Sequence, residues 1–264
     1  VLAPAGRFLL RLEAGWYQPG AFVDSEGESQ DFFGRPDFLL GTLRVSYSPA
    51  RRIAAGIELP YRYSRLPVPE GPSLTESGIP GAGIYLDWAP FDTSRIDSVL
   101  RIEYFHSRSS EDGALTITDG ADRYSLDASV FSAAPPQCTC WRGGAHSGVA
   151  FAPAAGNAVA LVDWEIDLRW GPAIAHAGET EISALALGGY ALSTAARQEG
   201  LVLRDSKSRR AFAGLVLQAD WSRGTSSARG LALIVERDFA ARNSLSGWRL
   251  TMTWTGPFGG RAGP

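Results

Sequence analysis

The sequence predicts an all-β fold, a transmembrane antiparallel up-and-down β-barrel of about 12 strands. Three observations carry this. Apolar and polar residues alternate with period two along most of the chain. Several alternating segments run to about ten residues, enough for a tilted strand to cross a bilayer, whereas soluble strands are usually about five or six. Aromatic residues gather at segment ends, where amphipathic rings favour the headgroup level.

The first segment sets Phe8, Leu10, Leu12, Ala14 and Trp16 against Arg11, Glu13 and Gly15. The second sets Leu39, Leu43, Val45 and Tyr47 against Thr42, Arg44 and Ser46. The third sets Ile53, Ile57, Leu59, Tyr61 and Tyr63 against Gly56, Glu58 and Arg62, and the fourth Ile84, Leu86 and Trp88 against Tyr85 and Asp87. Leu100, Ile102 and Tyr104 then alternate with Arg101 and Glu103, and Tyr124, Leu126, Ala128 and Val130 with Arg123 and Asp127. The clearest case runs from Ala158 to Trp170, with Trp164, Ile166 and Leu168 opposite Asp163, Glu165, Asp167 and Arg169. Near the end, Leu215, Leu217 and Trp221 oppose Gln218 and Asp220. Leu231, Leu233 and Val235 oppose Glu236, and Trp248, Leu250, Met252 and Trp254 oppose Arg249. Over 181–192, Ala and Leu occupy both faces, so the register across 171–205 is ambiguous, as it is across 146–156.

If the apolar faces meet lipid, the charged faces line the lumen. The candidate lining is Arg11, Glu13, Arg44, Glu58, Arg62, Asp87, Arg101, Glu103, Asp127, Asp163, Glu165, Asp167, Arg169, Asp220, Glu236 and Arg249, with Arg123 beside them. That is seven arginines against ten carboxylates, a mildly anionic interior. Open, it would favour cations; paired, the same charges would close it; or they simply keep the interior polar.

Connections alternate in length. Gln18–Asp37 and Ser64–Ser77 are long, whereas Ser48–Arg51 and Ala89–Arg95 are short. Outer-membrane barrels keep short turns periplasmic and long loops outside, so the N-terminus is expected in the periplasm and Gln18–Asp37 outside. Ala134–Ala145 breaks the pattern, a long connection where a short one is due.

Composition narrows the function classes. The 264 residues carry a net charge of −3, without the basic excess of a nucleic-acid binder. Lys207 is the only lysine among the 25 basic residues. No apolar run is long enough for a transmembrane helix. The opening residues do not read as a signal peptide, so the sequence is expected to be a processed or trimmed one. Cys138 and Cys140 are too few for a disulfide framework and lack zinc-site spacing; a strained disulfide, a ligand anchor or two unpaired thiols all remain open.

Two stretches carry a family resemblance. Tyr47-Ser-Pro-Ala-Arg-Arg-Ile-Ala-Ala-Gly-Ile-Glu-Leu-Pro-Tyr61 and Glu76-Ser-Gly-Ile-Pro-Gly-Ala-Gly-Ile-Tyr-Leu-Asp-Trp88 resemble the meta-pathway phenol-degradation family of transporter-like outer-membrane barrels. Those chains follow a Leu-Pro-Tyr strand end with Ser-Gly-x-Gly-Asp. Here Pro80, Gly81 and Ala82 stand where Gly-Asp is expected. The resemblance covers about a fifth of the chain. It implies a barrel and the uptake of small hydrophobic or aromatic compounds.

No catalytic constellation emerges, and no cofactor or metal is expected. His106, His146 and His176 fall near strand ends or in loops, and the neighbours His146 and Ser147 would point to opposite faces of a strand. Gly78–Gly83 lacks the Lys-Ser/Thr ending and following helix of a phosphate loop. Asp24, Glu26, Glu28 and Asp31 crowd the first loop, but their spacing is not that of a calcium loop.

The expectation is a single domain over residues 1–264, a non-enzymatic outer-membrane channel for small solutes. Its partners would be outer-membrane lipid and the solutes, with a periplasmic or surface protein as a further candidate. One alternative is a plugged scaffolding barrel docking such a protein through 134–145 or 171–205. The other is a soluble secreted β-sandwich.

Overall fold

A computed structural model describes residues 2–32, 34–68, 70–91, 93, 96–107, 122–132, 141–153, 161–178, 180–194, 197–198, 201–202, 207–221 and 230–258. Twelve strands make the barrel wall: β1 (Arg7–Val23), β2 (Asp37–Ala50), β3 (Ile53–Leu66), β4 (Gly81–Trp88), β5 (Ile96–Ser107), β6 (Arg123–Ser132), β7 (Trp141–Ala152), β8 (Leu161–Ala177), β9 (Thr180–Ser193), β10 (Ser208–Trp221), β11 (Gly230–Arg242) and β12 (Ser244–Phe258). Each pairs antiparallel with the next, and β12 returns to β1 from Phe8↔Phe258 to Val23↔Ser244. That last ladder removes both sheet edges. It also rules out the sandwich, which needs two separate sheets.

The alternation sorts side chains as the sheet curls. Leu215 (65% exposed), Ile84 (61%) and Leu168 (60%) belong to an apolar outer surface that runs around the wall. In water such a surface would be a severe liability; in lipid it is the matching solvent. Rings edge it at both levels. At one end Phe8 packs on Tyr47 and Phe258, with centroids 5.0 and 5.4 Å apart, and Trp141 stacks on Trp170 at 4.3 Å. At the other, Tyr104 meets Tyr124 at 5.2 Å and the Arg237 guanidinium lies 5.3 Å over Trp248. An outward arginine is tolerable at this level because its charge reaches the headgroups.

Several element boundaries differ from the sequence reading. Gln18–Asp37 is not all loop: β1 continues to Val23, and Ser29–Asp31 pairs back onto it. Likewise β3 runs to Leu66, and Leu74–Gly78 pairs with its upper half while β4 pairs with its lower half. Ile79 and buried Pro80 separate those two pieces, since proline has no N–H for the ladder. Within Ala134–Ala145, the part from Trp141 onward is strand β7; residues 133–140, with Cys138 and Cys140, lie outside the described residues. Within 171–205, the end of β8 and all of β9 are wall strand. The tight β11–β12 hairpin at Asn243 lies on the long-loop side, against the length rule. Asp24 organises the first loop by accepting the backbone N–H groups of Glu26 and Glu28 at 3.1 and 2.8 Å.

On three adjacent strands the inner face is apolar. Leu185 and Leu187 of β9 pack with Phe212 and Val216 of β10, and Ile234 of β11 closes over them. The strands approach closely around this patch. A Cβ at Gly214 would collide with the backbone of Val235 and Glu236, and one at Gly171 with that of Ala184 and Leu185. Backbone cannot rotate aside as a side chain can, so the strain stays in the sheet. Gly214→Ala is therefore expected to cost about 1–3 kcal/mol. Gly188→Ala, with nothing within 4 Å of the added carbon, should stay within about 0.5 kcal/mol. The urea midpoint of the detergent-folded barrel, followed by its heat-modifiable gel mobility, measures both.

Candidate functional site: a charged interior and its vestibule

Register decides which inner charges meet. Arg44 and Glu58 are cross-strand partners in direct contact. Arg101 sits opposite Asp87 and donates to both carboxylate oxygens at 2.7 and 2.9 Å, with its guanidinium 4.1 Å over the Tyr85 ring. Two parallel N–H···O bonds make this a bidentate pair. Arg11 reaches Glu13 on its own strand at 3.1 Å.

A second network spans β8 and β10–β12. Arg249 contacts its partner Glu236, and Arg210 lies 3.8 Å from Glu236, 3.4 Å from Asp238 and 3.5 Å from Glu165. Asp238 also accepts the Gly247 N–H at 3.0 Å. Asp220 accepts from Gln218 at 2.6 Å, and Glu103 Oε1 occupies the space over Gly83. Arg62 and Arg123 take inner-face register positions opposite Leu40 and Phe105. Burying such groups in pairs offsets much of their desolvation.

Toward the long-loop side the interior opens into a cavity of about 460 Å³, walled by Asp127, His146, Asp163, Glu165, Arg209 and Arg210. Asp167 lies one row and Arg169 two rows deeper than Glu165 on β8. His146 is not a loop histidine: it lies mid-strand in β7, with Nδ1 3.0 Å from Asp167 Oδ2 and Nε2 3.6 Å from Asp127 Oδ1. Ser147 does face outward and accepts the Trp164 indole N–H at 3.1 Å. Exposed His106 instead meets Asp122 at the outer rim, at 2.9 Å. Hydrogen bonds from the Tyr104 hydroxyl first, then from the Ser107 N–H and His106, hold the Asp122 carboxyl below its usual range.

The COG4313 outer membrane channel from Pseudomonas putida F1 aligns with a TM-score of 0.71 at 13% identity, over 97% of both chains. The beta domain of the Bordetella autotransporter Brka aligns at 0.52 and 17% identity, over 96% of this chain and all of that one. The fold is that of a bacterial outer-membrane β-barrel. No family model and no curated protein matches the sequence.

Among the described residues, the charged groups of the interior that sequence reading missed include Arg142, Glu181, Arg210 and Asp238. Arg142 donates to both oxygens of Glu181 at 2.6 and 2.5 Å. A signal existed for Arg142 and His146. Trp141, Val149 and Phe151 are odd-numbered apolar positions, which puts even-numbered residues inside, but small Ala145 and Ser147 blur the contrast. In β9 the inner face itself carries leucines, so polarity could not identify it.

The Asp87–Arg101 pair is expected to contribute through pairing rather than charge alone. Asp87→Ala strands a largely buried guanidinium and should cost about 3 kcal/mol. Asp87→Leu combined with Arg101→Met removes both charges and should recover most of that loss. Urea unfolding of the three barrels in the same detergent provides the comparison.

Proposed function

We propose that this chain is a non-enzymatic outer-membrane channel for small solutes, with residues 1–264 acting as one barrel domain. The observation that carries the reading is the vestibule: a closed barrel, whose inner wall carries paired charges, opens at one end into a cavity of about 460 Å³. Its walls present Asp127, Asp163 and Glu165 alongside Arg209 and Arg210, and low-dielectric surroundings focus the field of the carboxylates on a passing cation. The structural likeness to a channel supports conduction by analogy of fold. The inner apolar patch at Leu185, Leu187, Phe212 and Val216 suits small hydrophobic or aromatic compounds. The Tyr47–Tyr61 and Glu76–Trp88 resemblance to the meta-pathway phenol-degradation barrels supports the same substrate class.

The density of inner ion pairs favours a second reading, a non-conducting barrel that docks a periplasmic or surface protein. Planar-bilayer recording of the detergent-folded protein separates the two. The channel reading predicts discrete conductance steps and a reversal potential of cation-preferring sign under a salt gradient. Lysines at Asp163, Glu165 and Asp167 should move that potential toward anion preference. Silence from protein shown to be inserted overturns the channel and leaves the docking barrel.

A further inference from the structure

One cluster in the vestibule has the chemistry of a metal site, and it does not depend on whether the lumen conducts. Its geometry follows from the sheet. Asp167 on β8 lies directly opposite His146 on β7, and Glu165 lies opposite Gly148. From the other side, Asp127 on β6 is also opposite Gly148. Three carboxylates and an imidazole thus surround a residue with no side chain. A Cβ at Gly148 would run into the Asp127 carboxylate, so the glycine keeps the space between the ligands open.

The distances suit coordination. One ligand atom each from His146, Glu165 and Asp167 lies within 4.8 Å of the others. Around a tetrahedral ion with bonds near 2.1 Å, such atoms would stand about 3.4 Å apart. Asp127 Oδ1, 3.6 Å from His146 Nε2, stands beside the same group. Asp167 has a separate task for each oxygen: Oδ2 faces His146, while Oδ1 accepts from Arg169 Nε at 3.0 Å. An outer partner of this kind orients a ligating carboxylate. Glu165 is contacted by Arg210 at 3.5 Å, and the cavity reaches His146, Asp127 and Glu165, giving an ion a route in and room for water.

The geometry points to a divalent transition-metal site formed by His146, Glu165 and Asp167, with Asp127 beside them, taking one ion of the zinc and copper class. A nitrogen ligand among carboxylates selects these borderline ions over calcium or magnesium, which prefer all-oxygen shells. A plain ion-pair reading would need only a protonated His146 between Asp127 and Asp167. The metal site also needs Glu165, and binding expels the imidazole proton that such a pair retains.

Isothermal titration of the untagged, detergent-folded full chain with zinc chloride, in two buffers of different ionisation enthalpy, tests this. The expected result is one saturable site per barrel with proton release. His146→Ala and Glu165→Gln should each weaken it by about tenfold or more, while His106→Ala at the outer rim leaves it unchanged. Copper bound to the same protein should show one coordinating nitrogen by electron paramagnetic resonance, lost in His146→Ala. If His146→Ala fails to give a heat-modifiable folded barrel, Glu165→Gln and the copper spectrum of the parent protein decide. No saturable zinc binding, equal binding by Glu165→Gln, or loss on His106→Ala would each overturn the site.

Discussion

The structure depends on one constraint: in hydrocarbon, no backbone N–H or C=O can be left to water. Each of the twelve strands therefore needs two neighbours, and the β12–β1 ladder supplies the last pairing. Once the sheet is closed, period-two alternation has only two destinations, lipid and lumen. The apolar outer surface, the aromatic edges and the inner charges follow from that closure. The departures follow from it too. Pro80, which cannot complete a ladder bond, sits where the fourth wall segment is divided into Leu74–Gly78 and β4.

Closure also dictates how the interior is packed. Seventeen-residue β1 and β8 carry their charges in rows, and neighbouring rows meet at fixed register. Arg44 with Glu58, Arg101 with Asp87 and Arg249 with Glu236 are direct cross-strand partners, so sheet pairing and charge pairing are one event. Where charges give way to Leu185, Leu187, Phe212 and Val216, inner glycines let the strands approach closely. The interior thus divides into paired charges, an apolar patch and a vestibule in which carboxylates gather around His146. Those three surfaces are what any solute or ion entering the barrel would meet.

Much of this was legible in the sequence because alternation is a local signal. Trp164, Ile166 and Leu168 against Asp163, Glu165 and Asp167 define a face without knowledge of any neighbour. Register is not local. Nothing in the sequence says that His146 stands opposite Asp167, or that Arg210 reaches three carboxylates on two other strands. Strands with small or apolar residues on both faces were illegible for a simpler reason: β9 puts Leu185 and Leu187 inside and Ile182 outside, so hydrophobicity carries no direction there. Strand ends were hard because the wall extends past the apolar belt, as in β1 beyond Gln18 and β8 beyond Trp170.

The central claim is that lipid and lumen divide the wall by residue parity. The most direct measurement is a cysteine scan of residues 163–168 in the lipid-reconstituted barrel, each site carrying a fluorophore challenged with a lipid-soluble and a water-soluble quencher. The account predicts that sites 164, 166 and 168 respond to the lipid-soluble quencher, and sites 163, 165 and 167 to the aqueous one. A uniform response along the strand, or the opposite alternation, would contradict it.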